Sequence, residues 1–388
     1  MNILLWAPFG AGEHYWGPGM SAYRLYRIGL PHNVRLYLVH GNRHQKSYPG
    51  LFKGIYFVSD LKNGNFVSQL LFLIRSYLWI RRNFKKFDIV HVLGAHEISL
   101  RPALWFEQNG IPAFSKITGD RGGLVGHSRL SKLLGVSKNR ISNLNHITGY
   151  IAISEAIKVN LSKIGVLEHK IFCIPNGVDT EVFKPVNPEQ KAVLRKQHNL
   201  KNRFTVIFVG GISSRKQPLM LIKAFKRVIA AIEADIQLIL LGPDRDGSTL
   251  IEINKWIYEN SIQDFVSHVE HSDIPQIYYQ MADIFCLPSK SEGMSNALLE
   301  AMSSGLPSIV TAISGSRDLI QNTECGIIVE NERDISNAIQ FYFNNYAIAE
   351  QHSKNARTLI LNKYASSIVL KQHLELFSIF KKPFRITT

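Results

Sequence analysis

Cysteine is scarce in this sequence. The three present, Cys173, Cys286 and Cys325, are scattered and odd in number, and they form no CxxC pair or Cys/His group with metal spacing. A disulfide framework and a structural zinc site therefore find no support, and a reducing, cytoplasmic setting is the one expected. Long apolar runs are missing too. The most membrane-like stretch, 66–80 (FVSQLLFLIRSYLWI), carries Arg75 in its middle and is too short to span a bilayer. The start, MNILLWAPFG, runs straight into a strand-like segment without a basic leader or a small-residue cleavage site, so no secretory signal is expected. Neither low-complexity tracts nor solenoid-like repeats occur. Gly10-Ala11-Gly12 begins like a dinucleotide fingerprint, but Tyr15 stands where the third glycine would, which disfavours an NAD enzyme. The 14 histidines, among them His91, His96 and His127, present no ligand pair at metal spacing.

Acidic residues are short in one half only. Residues 1–184 hold 23 Lys+Arg against 10 Asp+Glu, giving +13, while 185–388 hold 22 against 20, giving +2. A general bias toward basic residues would not spare the second half. The first half is therefore expected to face something anionic: a phospholipid surface, a phosphorylated acceptor or nucleic acid. Segment 66–87 combines Leu, Phe and Trp with Arg75, Arg81, Arg82, Lys85 and Lys86. It suits either an amphipathic helix lying on an anionic membrane or a core helix with a basic solvated end.

What the sequence does contain is alternation. Short β-branched runs at 3–6, 34–39, 55–58, 88–92, 113–117 and 150–153 read as strands. So do 205–209, 236–241, 265–269, 284–287, 308–311 and 327–329. Helix-like segments such as 21–29, 68–84, 99–109, 218–232 and 296–303 lie between them. This is the pattern of βαβ units around parallel sheets, and 388 residues exceed what one core usually serves. The pattern resets after Pro175-Asn176-Gly177, where 183–202 is polar and contains Pro185 and Pro188. The expected architecture is α/β: two Rossmann-like, doubly wound domains facing each other across a cleft. Their expected limits are 1–184 and 185–365, with ligands beyond the carboxyl ends of the strands.

The chemistry concentrates in SKSEGMSNALLEAMSSGLPSIVT, 289–311. A strand ending at Leu287 gives way to a loop with Glu292 and Gly293, and a helix opens near Ser295. Free N–H groups at that helix start suit a phosphate, and Gly293 lets the backbone come close to a ligand. Glu300, in the first turns, can accept both hydroxyls of a ribose, and Glu292 can accept sugar hydroxyls. The same pattern also fits an ordinary capped helix with two solvated glutamates. A second element favours the first reading. Gly210-Gly211 ends another strand and is followed by Ser213, Ser214, Arg215 and Lys216, two cations placed to hold a diphosphate.

These segments resemble the retaining glycosyltransferases of family 4, the group 1 glycosyl transferases with the GT-B fold. Glu292 and Glu300 have that family's E-x7-E spacing, and SEGMSNALLEAM is similar to its donor-site signature. PNGVD at 175–179 resembles its interdomain turn, FVGGISSRKQPLMLIKAF at 208–225 its donor loop, and Gly17-Pro18-Gly19 its N-terminal glycine loop. The resemblance covers most of the chain and is most specific over 204–330. It implies a hexosyl- or N-acetylhexosaminyltransferase that takes a UDP- or GDP-linked sugar as substrate, without cofactor or metal. The acceptor would be a cell-surface glycan or a lipid-linked one, received by the N-terminal domain. Peripheral contact of that basic domain with the inner face of an anionic membrane is the matching location, and nucleic acid is not an expected partner. In this scheme Lys216 and Arg215 hold the diphosphate, Glu300 the ribose and Glu292 the transferred sugar. Gly211 and the backbone of Gly293, Met294, Ser295 and Asn296 lie on the donor. Gly17 and Gly19 lie near phosphates and acceptor, and the last helix, about 367–380, crosses back onto the N-terminal domain.

Two departures from the family pattern stand out. Its arginine after the first glycine of the donor loop is Gly211 here, with Arg215 as the nearby replacement. Its N-terminal histidine falls at Thr118 in Lys116-Ile117-Thr118-Gly119-Asp120. That leaves Asp120, Arg121, Glu13 and His14 as candidates for the residue beside the reacting carbon, with Asp120 taken as the catalytic choice. Asp244-Arg245-Asp246 matches the D-x-D metal pattern of a different fold but reads better as an exposed turn. Two other classes remain in view: a GT-B nucleotide-sugar epimerase, which needs no acceptor, and a non-catalytic nucleotide or nucleic-acid binder using the basic half.

Overall fold

The computed structural model of the protein describes residues 1–12, 17–62, 65–119, 143–232, 235–321 and 323–381. The chain forms two compact units. The first is Met1–Gly177 with Ser366–Thr388, and the second is Val178–Ala365. The chain thus passes from one unit to the other at 177/178, rather than near 185, and returns at 365/366.

The first unit is built on a seven-stranded sheet, ordered β3-β2-β1-β4-β5-β6-β7. Its strands are β1 (Asn2–Trp6), β2 (Arg35–His40), β3 (Phe52–Phe57), β4 (Ile89–Leu93), β5 (Ala113–Ile117), β6 (Gly149–Ala152) and β7 (Ile171–Cys173). All neighbours pair parallel. Strand β7 is absent from the sequence-based expectation, because its three residues are too few to show a period. The inner strands are apolar on both faces because helices cover both. Helices α1 (Gly17–Arg27) and α13 (Ser366–Phe380) bury Leu25, Tyr26, Val369, Leu370 and Phe377 in a cluster with Ile3 and Leu5 of β1. On the opposite face Trp6 meets Phe72 of α2 (Phe66–Asn83) at a ring separation of 6.1 Å and Phe106 of α3 (Glu97–Gln108) at 6.0 Å. Helix α4 (Glu155–Lys163) follows β6. The sequence 17–19, expected as a glycine loop, is instead the first turn of α1. Gly19 lies so tightly against the Gly10 carbonyl that a Cβ there would collide with it.

The second unit repeats the plan with six parallel strands, ordered β10-β9-β8-β11-β12-β13. They are β8 (Phe204–Val209), β9 (Ile236–Leu241), β10 (Val266–Val269), β11 (Ile284–Leu287), β12 (Ser308–Thr311) and β13 (Gly326–Val329). Counted within the unit this is the 3-2-1-4-5-6 order of a doubly wound sheet, whose switch point lies between β8 and β11. Its helices are α5 (Pro188–Gln197), α6 (Pro218–Ala231), α7 (Thr249–Glu259), α8 (Pro275–Met281), α9 (Asn296–Ser303), α10 (Ser314–Ile320), α11 (Glu332–Asn344) and α12 (Tyr346–Leu359). Helix α5 lies within the segment read as a polar connection. It forms because Asn187 and Gln190 make a reciprocal capping box, with Pro188 at the first helical position. Its one buried side chain, Arg195, donates to the Met281 carbonyl and, at 2.7 Å, to Asp283. A charged anchor thus replaces the apolar stripe that sequence reading looks for.

One polar group in the first unit is out of keeping with its surroundings. Lys116, on β5, is 1% exposed amid the apolar cluster under α1 and α13. Burial pulls its pKa down to about 8. Beside it His91 on β4 and His373 on α13 are 0% exposed, with ring centres 5.5 Å apart. Desolvation holds His91 well below the ordinary imidazole range and brings His373 down to about 3, each lowered further by the positive charge of Lys116. The Tyr26 hydroxyl lies 2.7 Å from His91 Nδ1. All three bases thus bind fewer protons folded than unfolded. Each contribution to stability therefore rises with pH, for the imidazoles as pH climbs towards about 6.5 and for Lys116 between about 8 and 10.5. Replacing Lys116 by Met removes the second of these. Calorimetry should show K116M more stable than wild type at pH 7, by on the order of 3 kcal/mol, with the advantage disappearing near pH 10.5.

Candidate functional site

The loops leaving β8 and β11 flank the switch point of the second sheet, and their side chains meet. Lys216 reaches back over Gly210, whose φ of 151° belongs to the region that favours glycine; a Cβ there would lie 3.4 Å from Lys216 Cε. The ammonium of Lys216 sits 2.5 Å from Glu292 Oε1, and Arg215 Nη1 lies 2.9 Å from the same oxygen. Arg215 also donates to the Ser291 carbonyl at 2.6 Å, and the Lys290 amide donates to the Arg215 carbonyl at 2.9 Å. The two loops are thus laced together by a carboxylate, two cations and backbone bonds. Lys216 is nearly buried, and desolvation lowers its pKa against the opposing pull of Glu292. Glu300 contributes a weaker raising effect, which places its charge within reach of the ammonium.

Helix α9 begins beside this cluster. Ser295 caps it, its hydroxyl accepting from the Leu298 amide at 3.4 Å. The glycine before it is held from behind by α10: a Cβ on Gly315 would fall 2.5 Å from the Gly293 oxygen and 2.7 Å from Met294 Cα. Close backbone packing therefore fixes the turn that leads into the helix start, where backbone N–H groups and the positive dipole end gather. Glu300 lies two-thirds of the way along α9 and is buried. The Tyr279 hydroxyl of α8 donates to its Oε2 at 2.9 Å. Arg357 of α12 closes the far end of α9, donating to the Ser303 carbonyl at 2.7 Å and to Thr180 and Phe183 carbonyls. A cation at a helix C-terminus is favourable, and here it locks α9 in place.

The second unit thus gathers Lys216, Arg215, Glu292, Gly293, Met294, Ser295, Asn296 and Glu300 on one edge, with Gly211 in the β8 loop. Gly17 and Gly19 belong to the first unit. Thr118 follows β5 and is half-buried. Asp120, Arg121, Glu13 and His14 lie outside the described residues. Two residues in the site escaped sequence reading. Tyr279 gave no signal because it sits in a short helix distant in sequence from Glu300. Arg245 is the other: its stem lies across Gly211, where a Cβ would come within 2.5 Å of Arg245 Cγ. The position lacking the family's arginine is therefore covered by a cation from the loop after β9, while Arg215 is engaged with Glu292. The flanking aspartates serve the backbone. Asp244 accepts from the Gly247 amide at 3.0 Å, and Asp246 accepts from Ser214 and Thr249, bonds that pull its pKa down to about 2.

Known proteins share this organisation. Residues 28–182 match the profile of Glycosyltransferase Family 4, and 190–359 match that of Glycosyl transferases group 1. The capsular polysaccharide biosynthesis glycosyltransferase CapM of Staphylococcus aureus is 28% identical over 61% of this chain and 62% of its own length. The UDP-Gal:alpha-D-GlcNAc-diphosphoundecaprenol alpha-1,3-galactosyltransferase of Escherichia coli is 30% identical over 54% of each. The chain therefore spans less than two thirds of these curated relatives. Among solved structures, HepE of Anabaena in complex with UDP superposes with a TM-score of 0.79 at 16% identity, covering 98% of this chain and 100% of that one. The two parallel sheets and their helices make the GT-B fold.

Because Tyr279 donates to a buried carboxylate, Tyr279→Phe should lower stability by about 1–2 kcal/mol. The check is a shift of the urea midpoint at unchanged slope, which separates lost stability from altered compactness.

Proposed function

This chain belongs to the group 1 glycosyltransferases of family 4, and we propose that it moves a hexose or N-acetylhexosamine from a UDP- or GDP-linked sugar to a glycan or lipid-linked acceptor. The observation that carries the proposal is the meeting of Lys216 and Arg215 on Glu292 at the switch point, directly ahead of the α9 N-terminus. The Escherichia coli relative is named for a UDP-sugar and a diphosphoundecaprenol-linked acceptor, which supports both halves of the reading. A peripheral position at the inner face of a membrane follows from such an acceptor and from the +13 carried by residues 1–184.

The barrier in such a transfer is departure of a charged nucleoside diphosphate. Lys216 and Arg215 neutralise the charge that develops on the leaving oxygen, Lys as a point charge and Arg through its fork. The backbone N–H groups of Gly293 to Asn296 add donors that are fixed before the reaction begins. Arg245 extends the cationic rim over Gly211. Glu300 receives the ribose hydroxyls, kept in place by Tyr279, and Glu292 receives hydroxyls of the sugar while holding both cations in position. No metal is assigned, since side chains and helix dipole supply the positive field and Asp244 and Asp246 are committed to backbone amides. Transfer proceeds with retention of anomeric configuration. Asp120 remains the proposed residue near the reacting carbon in the first unit.

The reading is tested by thermal shift and donor turnover across UDP-, GDP- and ADP-sugars, on wild type and Glu300→Ala. One nucleotide class should stabilise wild type and fail to stabilise the variant. Stabilisation by nucleic acid alone would overturn the proposal, and interconversion of the donor sugar without any acceptor would point to an epimerase. Lys216→Ala should lower kcat by about 10²–10³ as a missing donor to developing charge. Proton NMR of the first product formed should show the donor's anomeric configuration; an inverted signal would overturn retention.

A further inference from the structure

Helix α2 is apolar where a surface helix should be polar. Its inner face is accounted for, with Phe72, Leu73 and Ile80 buried in the core of the first unit. Its outer face carries Val67, Leu71, Ile74 and Leu78, at intervals of four, three and four residues, which is a single stripe along a helix. These side chains are 62%, 46%, 51% and 48% exposed. A helix that is apolar all round is ordinarily covered on every side. Beside the stripe a groove of about 370 Å³ opens between α2 and α3, walled by Leu70, Leu73, Ile74, Tyr77 and Trp105, with Arg101 at its edge. Tyr77 and Trp105 pack edge to face at 5.2 Å.

The charges along α2 and just after it are all of one sign, and the acidic group near the groove, Glu97 of α3, is paired with Arg101 at 3.5 Å. No Asp or Glu occurs between 61 and 87, while Arg75, Arg81, Arg82, Lys85 and Lys86 flank the stripe or follow it directly. All five are exposed. Arg81 lies over the Tyr77 ring at 5.9 Å, so its stem runs along the apolar face and its guanidinium stands at the rim. Among the described residues no helix is long and apolar enough to cross a membrane. Stripe, aromatic pair and basic border together have the composition of a helix lying in a membrane interface rather than through it.

We propose that the outer face of α2, with the α2–α3 groove, docks the first unit onto an anionic phospholipid bilayer. Val67, Leu71, Ile74 and Leu78 enter the boundary between headgroups and chains. Arg75, Arg81, Arg82 and the two lysines meet lipid phosphates, and the groove takes up hydrocarbon. A protein partner would need a complementary acidic surface, whereas an anionic bilayer supplies phosphate along the whole border. This proposal deepens the peripheral-membrane reading above and rests on it, but its test reads the surface and not the chemistry.

The test is co-sedimentation of the full chain with vesicles of phosphatidylglycerol and phosphatidylcholine in equal parts, against phosphatidylcholine alone. Binding to the mixed vesicles only, weakening with added salt, is the expected result. Arg81→Gln with Arg82→Gln should lower affinity about fivefold for each charge removed. Leu71→Ser, Ile74→Ser and Leu78→Ser together should abolish binding. Because these side chains are only about half buried and lie on α2 of the first unit, the triple variant should keep a cooperative melt, lowered by a few degrees, and wild-type donor turnover. Failure to bind either vesicle, or equal binding by the arginine variant, would overturn the proposal. So would a wild-type dimer in sedimentation velocity that Ile74→Ser dissociates, since a second copy would then be the cover. Vesicle binding without donor turnover would instead overturn the transferase reading and leave the docking surface standing.

Discussion

A sheet whose strands all run parallel sends every strand-to-helix loop to the same edge, because each crossover must return the chain before the next strand begins. Both units obey this constraint, and the chemistry of the second unit depends on it. Loops separated by some 75 residues of chain, after β8 and after β11, emerge side by side because the strand order reverses between those strands. The reversal leaves a gap that no crossover fills. Lys216 and Arg215 from one loop and Glu292 from the other meet there, and the first turn of α9 points into the same region. Glycines are used here in different ways: Gly210 for its φ of 151°, Gly211 beneath the Arg245 stem, and Gly315 where backbone crowds the turn at Gly293.

Two buried lysines show how environment decides what a cation is for. Lys216 has a carboxylate at 2.5 Å and an arginine sharing it, so the lowering of its pKa by burial is opposed by an ion pair at an edge of the sheet. Lys116 lies beside the imidazoles of His91 and His373, and burial brings it down to about 8. The first arrangement can exchange one anion for another. The second only costs stability, and it does so in the unit whose core α13 helps to close.

The sheets and most of the candidate site's residues were legible from residue patterns. Parallel strands buried on both faces give unbroken apolar runs, so twelve of the thirteen strands among the described residues announced themselves. Strand β7 did not, since Ile171–Cys173 is shorter than any period it could display. Helix α5 was read as a connection because a salt-bridged arginine, and not an apolar stripe, secures it. Glu292, Glu300 and Lys216 were visible because spacing along one loop and one helix fixes where they point. Tyr279 and Arg245 reach the site through tertiary packing alone. Arg245 was hidden inside a D-x-D pattern whose aspartates turned out to cap the chain around it.

The first unit is discontinuous in sequence: residues 178–365 form a complete second unit inserted between Gly177 and Ser366. Its central cluster joins Ile3 and Leu5 of the first strand to Val369, Leu370 and Phe377 of the last helix. On a ribosome, where chains emerge from the N-terminus at a rate of residues per second, the earliest-made strands therefore spend most of synthesis without the helix that covers them. The inserted unit, with every strand of its sheet contiguous, can fold in the meantime. Order of synthesis and order of completion are thus reversed in this molecule: the half that is made first is the half that is finished last.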